Sequence, residues 1–289
     1  MRIALISDIH GNHMAFEAVL RHVRETGVDG IAFLGDYVTD FPGSHKVLEM
    51  VREACREWQC WVLKGNREDY LLEHRHGRTP AWRKGTAFGS LLYAYNDLTE
   101  ADLDYIENLP YTMDVRIDGV KPFTICHSSP RGSRDPICHN EPQIAECLEL
   151  IKTDYMFCGH QHVVRTYCHM HKRAYFVGSV GLCDAMAGHA QFAYAEYEAG
   201  QWLVKSALVP YDAEAAISEF GPSGYDDHAR EWAKAIKYMA RTGYDACIEL
   251  VRRANILAGS IREDGGIPEK YWQQAAKDMG LGSCTERYT

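Results

Sequence analysis

The sequence predicts an α/β fold in which two sheets pack face to face with helices on the outside. Residues 2–63 alternate apolar strand-like runs with segments of helical spacing, the pattern of βαβ units and a largely parallel sheet. Residues 112–209 are instead a series of strand-like runs with short connections. The chain has 289 residues, 46% of them apolar and 25% charged, which is enough for a full core and ordinary for a globular protein.

The expected elements follow directly from these runs. In the first half, strands are expected at 2–7, 30–34 and 59–63, with helices at 13–26 and 45–57 between them. Residues 82–109 are expected to form two helices. The later strands are expected at 112–117, 121–126, 155–158, 163–168, 174–177, 191–197 and 202–209.

The last part of the chain has a helical pattern. Two apolar stripes at helical spacing flank a break at Thr242-Gly243; they comprise Ala229, Trp232, Ala233, Ile236, Met239 and Ala240, and then Cys247, Leu250, Val251, Ala254 and Leu257. Such stripes usually cover a core or a dimer partner. We therefore expect a main domain at residues 1–220 and a helical extension at residues 221–289 packed on it. The sequence is also compatible with a homo-oligomer.

Charge and cysteine usage exclude several classes of function. The net charge of −9 argues against a large nucleic acid as a partner, because proteins that bind nucleic acids usually carry a basic face. No run reaches the roughly 20 apolar residues that span a membrane. The ten cysteines form no C-x-x-C pair, and the chain begins "MRIALISD" without an apolar leader. Buried, reduced thiols in a cytoplasmic protein are therefore expected.

Polar side chains follow five of the expected strands, at the point where each strand ends. They are Asp8 and His10, then Asp36, Asn66 and His127, and finally His160 and His162 in a G-H-x-H motif. Ligands of open α/β sheets bind beyond the carboxyl ends of the strands, so these side chains are expected to meet at one rim. Each has a structural alternative: the aspartates could cap helices, Asn66 could make a turn, and His127 could be structural. Their conjunction favours a metal site.

The number and type of donor atoms indicate what kind of metal site these residues would form. Seven oxygen and nitrogen donors exceed the four ligands usual for zinc. They suit two neighbouring divalent ions bridged by a carboxylate and about 3.5–4 Å apart. Imidazole and carboxylate without thiolate favour Mn, Fe, Zn, Ni or Co. Two divalent transition-metal ions are therefore the expected cofactors, with Mn²⁺ as the leading choice.

The order of these residues resembles the calcineurin-like metallophosphoesterases. The resemblance is carried by D-x-H, G-D, G-N-x-[D/E], H and G-H-x-H, and "SDIHGN", "GDYVTDFPG", "HSSP", "GSVG" and "VPYDAE" are similar to the small prokaryotic phosphodiesterase branch. It spans roughly residues 1–220 and implies a four-layer αββα sandwich of two mixed sheets. It also implies that a metal-bound hydroxide attacks the phosphorus of a small phosphorylated substrate. The first metal would be held by Asp8, His10 and His162, the second by Asn66, His127 and His160, with Asp36 bridging them.

Position 67 departs from the family pattern. Many phosphatases of the family carry a histidine there, taken to protonate the leaving group, whereas this chain has Arg67. Arginine cannot donate a proton usefully at neutral pH, but it can hold a phosphate through two parallel hydrogen bonds. We therefore expect a phosphodiester or nucleoside polyphosphate as substrate, and catalytic roles for Asp36, Asn66, Arg67 and His127. Glu68 would orient Arg67 at the site, pair with it on the surface, or simply favour the first turn of a helix.

Other roles and functions stay open at this point. His13 could act as a substitute acid or be solvated, and Arg131 and Arg134 could bind distal phosphates or be surface charges. The competing functions are a phosphomonoesterase or protein phosphatase of the same superfamily, a nuclease, and a non-catalytic protein-binding scaffold. Scaffolds tend to lose metal ligands, and all seven positions are filled here, so the sequence favours the enzyme.

Overall fold

The structure is a computed structural model that describes residues 1–79, 82–85, 88–135, 141–263 and 266–282. The strands within these residues are β1 (Arg2–Ile6), β2 (Gly30–Phe33), β3 (Cys60–Val62), β4 (Thr112–Val115), β5 (Phe123–Cys126), β6 (Tyr155–Cys158), β7 (Arg165–His169), β8 (Lys172–Phe176), β9 (His189–Glu198) and β10 (Gln201–Pro210). The helices are α1 (His13–Thr26), α2 (Ser44–Glu57), α3 (Asn66–Arg75), α4 (Phe88–Asp97), α5 (Glu100–Glu107), α6 (Glu141–Leu150), α7 (Ala213–Ser218), α8 (Tyr225–His228), α9 (Arg230–Thr242), α10 (Ala246–Ala258) and α11 (Glu269–Asp278).

The strands form two mixed sheets of five strands each. The first has the order β10-β9-β1-β2-β3, with β1, β2 and β3 parallel and β9 and β10 antiparallel. The second has the order β4-β5-β6-β8-β7, with a parallel centre and antiparallel edge strands. Parallel neighbours need long crossovers, and α1, α2 and α6 provide them. These crossovers leave the carboxyl ends of β1, β2 and β3 on one edge.

The two sheets pack face to face. Side chains alternate along a strand, so Ile3 and Leu5 of β1 point between the sheets, where they join Phe123, Ile125 and residues such as Phe157, Val177 and Trp202. The intervening residues of β1 belong to the cluster that includes α1 and α2, and α6 covers the outer face of the second sheet. The predicted four-layer αββα sandwich is therefore confirmed.

The helical C-terminal region has its own apolar cluster. Its fully buried members include Ala233, Ile236, Leu250, Ala254 and Ala275, and Phe41 and Leu182 of the sandwich loops join it. The predicted stripes thus do cover an apolar core. Leu257, assigned to the second stripe, is instead 39% exposed. Among the described residues, no helix combines the length and the apolar character that a membrane crossing requires.

Candidate metal centre

The seven side chains predicted to bind metal converge on one rim, just beyond β1, β2, β3, β5 and β6. One group comprises Asp8, His10 and His162, whose potential ligand atoms all lie within 4.8 Å of one another. The Nε2 atoms of His10 and His162 are 3.0 Å apart, and that of His162 lies 3.3 Å from Oδ1 of Asp8. Three potential ligand atoms therefore point at one position.

A second group lies beside the first. Oδ1 of Asn66 is 2.9 Å from Nε2 of His127 and 2.7 Å from Nδ1 of His160. The carboxylate of Asp36 lies between the groups, with Oδ1 3.5 Å from Nε2 of His127 and Oδ2 3.8 Å from Nε2 of His10. Asp36 thus approaches a histidine of each group.

The backbone at these residues adopts a conformation that side chains usually disfavour. Asp8, His10, Asp36, His160 and His162 have φ values of 56°, 51°, 56°, 70° and 58°. Left-handed residues other than glycine are uncommon, and strained positions of this kind cluster at functional sites. The two histidines of the G-H-x-H motif converge because the chain turns beyond β6.

The helix-capping alternative for the aspartates does not hold. The N-cap of α1 is Asn12, whose side chain accepts a hydrogen bond from the backbone N–H of Ala15. Gly43 and Gly65 occupy the N-caps of α2 and α3. Gly65 is required by its neighbours, because a Cβ there would overlap Oδ1 of Asp36. The loop before α3 therefore approaches the site closely, as only a glycine allows.

Glu68 holds together the loops that carry the predicted ligands. Its carboxylate accepts hydrogen bonds from the backbone N–H groups of Gly65 at 2.7 Å, Asp36 at 2.9 Å and Tyr37 at 2.8 Å. It thereby joins the loops after β2 and β3. The expectation that Glu68 orients or pairs with Arg67 is wrong, because its oxygens are engaged by the backbone.

Asp40 is a central residue that the sequence analysis did not single out. Its Oδ2 lies 2.9 Å from Nδ1 of His10 and 3.3 Å from Nη2 of Arg67, and its Oδ1 accepts a 2.7 Å hydrogen bond from Nε1 of Trp232. A carboxylate on the second ring nitrogen is the usual way in which metal-binding histidines are oriented. Asp40 stands within the quoted "GDYVTDFPG" stretch, and its acidity was the available signal.

Arg67 lies inside the site. Its side chain is 23% exposed, it pairs with Asp40, and it lines the cavity that also contains His10, Asn66 and His162. Its Nε atom is buried, without a hydrogen-bond partner among the described residues. The alternative of a surface arginine is therefore wrong.

Three other basic residues lie elsewhere. His13 is buried, and its Nε2 is 2.8 Å from a carboxylate oxygen of Glu219. Arg131 pairs with Asp135 at 2.6 Å, and Arg134 pairs with a glutamate of α3. Arg131 and Arg134 line a different cavity from the one that contains the predicted ligands. The structure thus does not bring His13, Arg131 or Arg134 to the predicted metal cluster.

The buried cluster is strongly acidic. Burial and repulsion from Asp8 raise the pKa of Asp36 to about 6, and burial and the charge of Asp36 raise the pKa of Glu68 to about 7. Burial also opposes ionisation of Asp8, but attraction from His162 and two further histidines holds its pKa well below its usual range. Like charges in a buried site are costly unless a cation compensates them.

Two further observations fit a metal cation. Oδ1 of Asp8 is buried, and its contact with Nε2 of His162 at 3.3 Å is a contact with another predicted ligand. Burial and repulsion from His127 lower the pKa of His160 to about 3, so this imidazole is neutral, as metal binding requires. The donor set of carboxylate, imidazole and amide oxygen suits a divalent transition metal.

Fold and cluster together define an α/β protein with a candidate metal centre at its strand ends. The chain belongs to the calcineurin-like phosphoesterase superfamily, whose domain matches residues 1–200. The superfamily is one of phosphoesterases, and the Asp/His groups of this chain are of the kind that could hold a metal ion.

Three individual proteins are similar to this chain. A metallophosphoesterase from Sphaerobacter thermophilus is 25% identical, with a TM-score of 0.61, over 78% of this chain and 94% of its own. The hypothetical protein PH1004 from Pyrococcus horikoshii OT3 is 18% identical, with a TM-score of 0.66 over 85% and 99% of the two chains, and supports the fold alone. The uncharacterized protein MJ0912 of Methanocaldococcus jannaschii is 26% identical over 171 residues, which are 56% of this chain and 62% of the relative.

Proposed function

We propose that this protein is a phosphohydrolase that holds two divalent ions and cleaves a phosphodiester or a nucleoside polyphosphate. The observation that carries the proposal is the convergence of the seven predicted ligands in two adjoining groups, one around the buried carboxylate of Asp8 and one around Oδ1 of Asn66. The superfamily match supports phosphoester hydrolysis independently of this geometry. A non-catalytic scaffold has no need for so complete a ligand set.

The residues divide into two ligand sets. Asp8, His10 and His162 would hold one ion, and Asn66, His127 and His160 the other; the contacts within each group support this division. Asp36 would bridge the two sets. We propose Mn²⁺, with Fe, Zn, Ni and Co as alternatives of the same ligand chemistry. Bound ions of this kind supply a nucleophile at neutral pH, by acidifying water, and neutralise charge on the phosphate.

The chain's own groups then position the substrate. Arg67 lines the cavity beside Asn66, where its guanidinium can donate hydrogen bonds to a phosphate oxygen. Arg67 is not a useful proton donor at neutral pH. A basic alkoxide leaving group benefits from such a donor, whereas an aryl or phosphoanhydride leaving group needs less help. This difference favours diesters and anhydrides over alkyl monoesters.

Metal analysis and a substrate survey test the proposal. The purified protein should contain about two divalent ions per chain, as in two-metal hydrolases. It should hydrolyse bis-p-nitrophenyl phosphate or a dinucleoside polyphosphate faster than p-nitrophenyl phosphate, and a chelator should abolish the activity. His160→Ala should lose both metal and activity. His169→Ala, which changes a histidine on β7 that contacts Glu149, should retain both. A metal-free, inactive wild-type protein that gains neither property with added Mn²⁺ would refute the proposal.

A further inference from the structure

We infer that the organic group of the substrate is largely apolar and not polyanionic, and that α9 and α10 bind it. This inference rests on the proposed function and narrows it, because it favours phosphodiesters with apolar substituents over nucleoside polyphosphates. The helices concerned lie beyond residues 1–200, the part of the chain that matches the superfamily domain.

The cavity at the candidate metal centre has two unlike walls. One wall consists of predicted ligands, including His10, Asn66 and His162. The C-terminal helices contribute apolar lining residues, which are Trp232 and Met239 from α9 and Cys247, Ile248 and Val251 from α10. The cavity volume is about 490 Å³, within the usual range of small-molecule sites. A phosphate on the first wall would therefore place its substituent against an apolar surface.

The exposed isoleucine of α10 is informative because it lies at this cavity. Ile248 is 70% exposed, although an isolated exposed isoleucine needs no explanation on its own. Ile248 differs because it lines the same cavity as the candidate metal centre, beside Val251. Ile256 of the same helix is 65% exposed and does not line this cavity, so it provides a matched comparison.

The charges of the cavity argue against a second phosphate. Asp184 and Asp245 line it together with the apolar residues. Among the described residues that line it, Arg67 is the only lysine or arginine, and its guanidinium already pairs with Asp40. Like charge within a cleft lowers the local concentration of an anion. A polyphosphate chain would therefore meet two carboxylates without a further cation to hold it, whereas a neutral or cationic group would not be repelled.

A pair of diesters tests the apolar wall. Phenyl p-nitrophenyl phosphate and methyl p-nitrophenyl phosphate share a leaving group and a single charge, and differ in the substituent that would contact α10. We expect kcat/KM of the Mn²⁺-loaded enzyme to be about tenfold or more higher for the phenyl diester, the scale of discrimination by apolar pockets. Ile248→Ser should reduce this preference several-fold, whereas Ile256→Ser should leave it unchanged.

A second comparison tests the charge. A 4-carboxyphenyl p-nitrophenyl phosphate should be a poorer substrate than the phenyl diester, and Asp245→Asn should narrow the difference. Asparagine caps helices as well as aspartate does, so the N-cap of α10 at this position is retained.

The outcomes separate this inference from the proposed function. No hydrolysis of any phosphate by the metal-loaded enzyme would overturn the proposed function itself. Hydrolysis of both diesters with equal kcat/KM, unaffected by Ile248→Ser, would overturn only the inference. A dinucleoside polyphosphate preferred over the phenyl diester would do the same.

Discussion

Replacing Trp232 by phenylalanine should loosen the connection between the C-terminal helices and the candidate metal centre. Nε1 of Trp232 donates a 2.7 Å hydrogen bond to Oδ1 of Asp40, whose side chain is 1% exposed. Burial alone would raise the pKa of Asp40, but the charge of Arg67 and the contact with His10 hold it well below its usual range. The acceptor is therefore ionised. Hydrogen bonds to charged groups contribute about 1.5–3 kcal/mol, and the partly exposed indole places the expected loss near 1.5–2 kcal/mol.

Trp272 supplies the matched control. Its Nε1 donates to the backbone carbonyl of Ile267 at 3.2 Å, which is a longer bond to a neutral acceptor. Trp272→Phe removes the same part of an indole from another C-terminal helix, and the lost bond should contribute about 0.5–1.5 kcal/mol. The difference between the two losses in free energy of unfolding reports the effect of the charged acceptor and should be about 1 kcal/mol.

Urea unfolding followed by circular dichroism gives both free energies of unfolding, provided that the m-values agree. Because Asp40 also contacts His10, Trp232→Phe should weaken metal binding as well, while Trp272→Phe should not. Equal losses of stability in the two variants would refute the reasoning. So would strictly additive losses in Trp232→Phe, Asp40→Asn and the double variant, because a direct bond requires a coupling energy.

Three further changes test the proposed site. Asp36→Asn weakens the proposed bridging ligand, so metal analysis should show both ions lost together; one fully occupied metal with normal activity would contradict the bridge. Truncation after about residue 221 removes the buried side chains of Ile236 and Leu250, each contributing about 1.5–3 kcal/mol, so we expect a lower melting temperature or aggregation. A soluble, equally stable but inactive fragment would instead assign these helices to substrate binding alone. Arg67→Ala should lower kcat/KM roughly 10- to 150-fold, which corresponds to about 1.5–3 kcal/mol of transition-state stabilisation, with metal content intact; Arg67→His should recover relatively more activity on alkyl monoesters than on activated diesters. Kinetics like wild type in both variants would remove Arg67 from catalysis.

The central sheet and the ligand cluster could be predicted because their signals are local in sequence. The apolar runs that became β1, β2 and β3 are separated by helices of clear periodicity, and each run is followed at once by its polar residue. The crossover rule then brings those strand ends together without any knowledge of side-chain contacts. The helix α6 was missed although Ile144, Cys147 and Leu148 show helical spacing.

The residues that support the predicted ligands could not be predicted in the same way as the ligands themselves. Asp40 and Trp232 are 192 residues apart in sequence, and their hydrogen bond depends on how the C-terminal helices dock. The role of Glu68 was equally hidden, because its partners are backbone N–H groups of a loop that precedes it by about thirty residues. Such contacts have no periodicity, and the type of residue alone does not reveal its partner.

The contacts of Asp40 give a reason why an arginine suits position 67. Asp40 is a buried, ionised carboxylate, and an ion bound at Nε2 of His10 would leave this imidazole formally neutral. Trp232 donates a hydrogen bond but carries no charge. Arg67, 3.3 Å away, is then a permanent positive charge that balances the carboxylate at any physiological pH. Arg67 thus stands in place of a proton donor and also compensates the charge of Asp40, so Arg67→Ala removes this compensating charge but no predicted metal ligand.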